Sequence, residues 1–135
     1  KPGIKQSGFP DWYLNPPKYE GKFVGIGDAL SPDISLGRQA AIERGRLEIA
    51  RAVETQLKST FKNFQQQSGS GLEAQTLQFL ESVSKSVTNI TMKGCVPDKI
   101  EYDDKTGRMF ALMVYDLNEV RTAAIIIVIS KTALE

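Results

Sequence analysis

The chain contains no histidine and one cysteine, Cys95. Without histidine it lacks the commonest general base, the commonest metal ligand and every Ser-His or Cys-His nucleophile. A single cysteine excludes an internal disulfide and a cysteine-based zinc site. An excess of charge of one sign is also missing. The 17 Lys and Arg against 16 Asp and Glu leave a formal net charge of +1, which gives no reason to expect nucleic acid or an anionic membrane surface as a partner. No apolar run reaches the ~18 residues of a membrane span, and the longest, Ala123 to Ile129, is far shorter. The chain starts at Lys1 without a methionine, so a processed or trimmed N-terminus is expected. Neither a signal peptide nor a lipid-attachment cysteine is there to be read.

What is present suffices for one domain with a core: 135 residues, 41% of them hydrophobic. The organising stretch is Phe23 to Phe64. It opens as a strand, FVGIGDAL, turns at SPDIS, and continues as a long amphipathic helix from Leu36 to about Gln66. Ile42, Ile49, Ala50, Val53, Leu57, Phe61 and Phe64 recur at helical spacing. Ser31, Asp33 and Ser35 each offer an N-cap oxygen, and Pro32 blocks an earlier start. At 1.5 Å per residue the helix is about 46 Å long, against a radius of gyration of roughly 14 Å for a domain of this size. It must bend or project. QQQSGSG ends it, and Ser70 with Glu73 makes a capping-box pattern for a second helix, Leu72 to Val87. Two helices joined by SGSG read as an antiparallel hairpin reaching past the sheet.

Residues 1–22 read as an extended arm, and residues 23–135 as a single α+β domain. Four prolines and three glycines deny the arm a helix, yet it carries Phe9, Trp12, Tyr13, Leu14 and Tyr19, too much aromatic surface for a disordered tail. Its middle, FPDWYLNPP, is expected to dock on this domain or on a neighbour. From Thr88 to Tyr102 the period changes to two, with Ile90, Met92 and Val96 alternating and Pro97 marking an interruption or an edge. DDKTG is a hairpin turn with Gly107 at the left-handed position. In RMFALMVYDL, Phe110, Leu112 and Val114 face one way, and Met109, Ala111, Met113 and Tyr115 the other. Such a strand is covered on both sides, one cover being helical and the second open to a partner chain. Residues 117–131 admit two readings. Asp116 and Glu119 form a capping box for a helix from Leu117, while the β-branched run Ile125 to Ile129 suits a strand. The cap tips the reading to helix. Either way the run is apolar on every side and calls for cover.

No constellation carries catalysis, and no metal or cofactor site is expected. DKTG at Asp104 to Gly107 resembles the aspartyl-phosphate loop of cation-pumping ATPases. That chemistry needs a buried apolar strand before the aspartate, and here KIEYD precedes it. Gly25 and Gly27 lack the third glycine of a dinucleotide fingerprint and instead let a backbone or helix come close. Cys95, read as following Gly94 in a strand, is a small buried residue. Asn89-Ile90-Thr91 is a sequon by pattern in an expected strand. The charges along the main helix, from Glu43 to Glu54, read as a solvated face or as a means of setting register between like subunits.

Four stretches together resemble a known family. FPDWYLNPP, FVGIGDALS, GRQAAIERGRLEIARAV and IEYDDKTGRMFALMVYDL, in this order and spacing, look like the small outer-membrane lipoproteins of the twenty-kilodalton antigen type, a family that includes the flagellar lipoprotein FlgP. The resemblance implies a signal peptide and a lipidated cysteine upstream of Lys1. It also implies residence on the periplasmic face of the outer membrane or at the cell surface, and a dodecin-like fold. Flagellar members form rings or discs around the motor. The family has no active site to carry over. Dodecins bind flavin between tryptophans on their strands, but Trp12 lies in the arm, so no flavin is expected.

The expectation is an α+β fold, β-α-α-β-β-α, with a small antiparallel sheet packed on a long helix and a projecting helical hairpin. The expected function is that of a non-catalytic lipoprotein subunit that assembles with copies of itself into a ring, disc or tube, a flagellar basal disc needed for motility. Other flagellar motor proteins are further expected partners. The alternative is a monomeric or dimeric surface lipoprotein that binds a host molecule or a small ligand. Candidate assembly contacts are Trp12, Tyr13, Phe61, Phe64, Phe79, Ile125, Ile127 and Ile129.

Overall fold

The computed structural model describes residues 8–67 and 74–133, with the side chains of Phe64, Gln65, Gln67, Thr76, Ala123 and residues 127–133 outside the description. Its elements run α1 (Asp11–Leu14), β1 (Lys22–Leu30), α2 (Ile34–Gln67), α3 (Ala74–Gly94), β2 (Val96–Asp103), β3 (Arg108–Asp116) and α4 (Leu117–Ala133). The three strands form one antiparallel sheet in the order β1-β3-β2, registered from Lys22 opposite Asp116 to Leu30 opposite Arg108. The α+β class and the long helix against a small antiparallel sheet are therefore as read from the sequence.

The central strand β3 is buried along most of its length. Its two faces carry the two residue sets that alternation assigns. Met109, Ala111, Met113 and Tyr115 share one core with Ile49 and Val53 of α2, Val83 and Val87 of α3, and Val120 of α4. Phe110 and Leu112 form a second core on the opposite face. The cover on that face is not a partner chain but the protein's own arm.

Helix α2 starts where the turn chemistry predicts. Asp33 Oδ1 accepts the Leu36 N–H at 3.2 Å, and Ser31 Oγ accepts the Asp33 N–H at 3.2 Å. The helix lies so close on β1 that side chains are excluded between them. A Cβ on Gly27 would fall 2.1 Å from the Ala41 carbonyl oxygen, and one on Gly25 would fall 2.3 Å from that of Gly45. Strand glycines thus serve close approach, as expected. Two of the helix charges are not simply solvated. Glu48 Oε1 accepts the Ile26 N–H at 3.1 Å, and Arg44 donates to the Asp28 carbonyl. Together they occupy main-chain groups on the edge of β1 and block it from pairing with another strand.

Near Gln56 the helix reaches the Lys22 end of the sheet, and Gln67 lies ~16 Å farther along. Residues 54–62 of α2 lie beside 77–85 of α3, so the hairpin projects past the sheet. The capping pattern at Ser70 and Glu73 and the start at Leu72 lie outside the described residues.

Two expectations are corrected. The strand read from Thr88 is helix up to Gly94. The buried stripe of α3, Val83 and Val87, continues through Thr91 and on to Cys95 at spacings of four. The Thr88 and Thr91 hydroxyls return hydrogen bonds to the Ser84 and Val87 carbonyls at 2.8 and 2.9 Å. The alternation of Ile90 and Met92 reported nothing about burial: Ile90 is exposed. Cys95 sits at the helix-to-strand corner rather than inside a strand. The arm, in turn, does contain a helical turn, Asp11–Leu14. Pro10 stands just ahead of it, where a missing N–H costs nothing, and its carbonyl accepts from Tyr13 and Leu14.

Pro97 marks both a register shift and an edge strand. Gly107 holds the left-handed φ of +81° in the β2–β3 turn. Asp103 fastens that turn by accepting from the Lys105 N–H and the Thr106 hydroxyl. The last segment resolves to helix, with Asp116 Oδ1 accepting the Asn118 N–H at 2.8 Å.

Candidate functional site

The outer sheet face is a closed surface. Trp12 is buried against Phe110 and Leu112, with Phe9, Tyr13, Val24 and Ile26 packed around them. The rings of Phe9 and Tyr13 lie 5.3 and 5.1 Å from that of Phe110. Polar atoms pin the arm to both sheet edges. Trp12 Nε1 donates to Glu101 of β2 at 2.8 Å, the Tyr13 hydroxyl donates to Asp28 of β1 at 2.5 Å, and the Tyr19 hydroxyl donates to Asp98 of β2 at 2.8 Å. Arg108 closes the network, pairing with Asp28 Oδ2 at 2.5 Å and lying 5.9 Å from the Phe9 ring centre. Burial and the Asp28 hydrogen bond push the Tyr13 phenol far above its ordinary pKa, so it stays a donor. Trp12 and Tyr13, candidate assembly contacts in the sequence, are thus engaged within their own protomer.

Phe61 is half-buried on the projecting hairpin, lining a groove of about 480 Å³ with Leu77 and Leu80. Lys58, Lys62 and Lys85 alternate with Glu54 and Glu81 at its rim. Phe79, also partly buried, packs on the main core instead. The side chain of Phe64 lies outside the description.

Helix α4 is anchored through Val120, which is buried, and Ala124, which packs on the core. Beyond them Ile125 is 60% exposed and Ile126 is 57% exposed. Ile126 shares a shallow depression of about 430 Å³ with Ile90, Tyr115 and the first turn of α4. The side chains of Ile127 and Ile129 lie outside the description. Ile126, Ile90 and Leu77 are not among the candidate contacts read from the sequence. Ile90 becomes legible once Thr88 to Gly94 is helix, because it falls off the buried stripe.

Little here supports covalent chemistry. Burial pushes the Cys95 thiol up to about 11, the opposite of what a nucleophile needs. The Asp103 carboxylate is spent on its turn, and Asp104 is exposed. Among the described residues, no three His, Cys, Asp or Glu side chains are placed to share a metal ion, and no helix is long and apolar enough to cross a membrane. The geometry suits contact through apolar surface.

A family model described as LPP20 lipoprotein matches residues 10–116. The matched region runs from the helical turn of the arm to the last residue of β3 and stops where α4 begins. No curated protein matches the chain.

Proposed function

The chain belongs to the LPP20 lipoprotein family, and on that premise we propose that it is a non-catalytic, lipid-anchored subunit of the outer membrane. Copies of it assemble into a ring, disc or tube, in a flagellar basal disc needed for motility. The anchor is a lipidated cysteine upstream of Lys1. The observation that carries the reading is the exposure of Ile125 and Ile126 beside Ile90. A second copy laid on this face would remove that apolar surface from water at roughly 25 cal/mol per Å². The projecting hairpin supplies a second surface, reaching beyond the sheet where a neighbour can meet it.

The groove beside Phe61 favours a second reading, a surface lipoprotein that takes a small apolar ligand between α2 and α3. Electron microscopy of the purified chain at moderate concentration separates the two. Ordered rings, discs or fibres support assembly. A uniform small particle supports the ligand-binding reading.

A further inference from the structure

The sheet gives the protomer two distinct poles. One is the β2–β3 turn, where Leu30 pairs with Arg108. The other, at the far end of the nine-residue β3, is where Lys22 pairs with Asp116. The second pole carries the start of α4, and the hairpin projects past it. The first carries exposed apolar side chains. Leu30 is 61% exposed, Ile34 is 55% exposed and Leu36 is 58% exposed. Leu30 ends β1 beside the turn glycine Gly107, and Ile34 and Leu36 lie on the first turn of α2.

The chain also enters the described domain at this pole. Gly8 approaches the Asp103 carboxylate, and Phe9 lies beneath Arg108. From there the arm runs the length of the sheet to Tyr19, which is tied to Asp98 near the far pole. The arm is pinned at Asp28, Glu101 and Asp98, so its direction is set by the fold. Gly8, the first described residue, therefore lies at the same end that exposes Leu30, Ile34 and Leu36.

We infer that this pole faces the bilayer and that Leu30, Ile34 and Leu36 rest in the lipid surface, holding the protomer upright with its hairpin and α4 directed away from the membrane. The inference rests on the lipid-anchor part of the reading above. Charge at this pole is balanced, Asp33 and Asp104 against Arg38 and Lys105. The contact is thus apolar and insensitive to salt. Three side chains do not hold a protein on a membrane alone; they orient one that is already tethered.

The test tethers the chain through an N-terminal hexahistidine tag to phosphatidylcholine vesicles containing a nickel-chelating lipid. A reporter Leu36→Trp keeps the corner apolar, and Ile126→Trp reports on the opposite side. Acyl chains brominated near the headgroup are expected to quench the added fluorescence of Leu36→Trp but not that of Ile126→Trp, at low and high salt alike. Adding Leu30→Glu and Ile34→Glu is expected to abolish the quenching while the tether still holds. An unquenched Leu36→Trp, or equal quenching of both reporters, overturns the inference. The oligomeric state of the same samples, read by light scattering, tests assembly separately, so one can fail while the other stands.

Discussion

Asp28 fastens the arm to β1 and ties that contact to Arg108 of β3. One carboxylate oxygen takes the Tyr13 hydroxyl and the other takes Arg108. Tyr13→Phe is expected to lose about 1–2 kcal/mol of stability, since Arg108 still satisfies the carboxylate. The urea unfolding midpoint measures it. Cys95 sets a pH dependence. Its folded pKa is raised, so the folded state holds the proton more tightly than the unfolded chain does. That contribution is complete below the ordinary value near 9 and is lost as pH rises to about 11. Stability should fall across that window, with a shallower fall in Cys95→Ala; an identical slope in both would remove Cys95 from the cause. At this scale the sequence showed that the arm's aromatics need cover. It did not show which face takes them, because Trp12 finds Glu101 89 residues away and no local pattern encodes that pairing.

Helix α2 and strand β1 are joined by the absence of side chains as much as by their presence. Gly27→Ala would put its Cβ against backbone atoms of Ala41 and Gly45, which have no rotamer to yield. The substitution is expected to cost about 3 kcal/mol or more, read from thermal or urea unfolding. A change below 1 kcal/mol would mean that the two elements can separate freely. Most elements were legible because burial and local chemistry agree. The Asp33 cap, the Gly107 turn, the two-faced β3 and the Asp116 cap each follow from residues within a few positions. Thr88 to Gly94 was misread because a short alternation suits a strand as well as a helix. The deciding facts, Thr91 on the stripe of Val83 and Val87 and two hydroxyls bonding back to the helix, depend on α3 lying against α2.

The whole protomer is asymmetric from pole to pole. One end gathers Leu30, Ile34, Leu36 and the entry of the chain; α4 and the hairpin occupy the other. Surfaces that differ from end to end and side to side suit head-to-tail contacts, which close into rings or run on as tubes. Composition could show that the isoleucine run needs cover, but not which of its residues the helix turns outward. The decisive measurement is the mass in solution of the wild-type chain and of Ile125→Glu/Ile126→Glu, taken by light scattering over a concentration series. Both side chains are exposed, so the double variant should fold as before. Assembly predicts a wild-type mass of many copies that collapses toward the 14.9 kDa of one chain in the variant. A wild-type chain that stays at the mass of one copy throughout would contradict it.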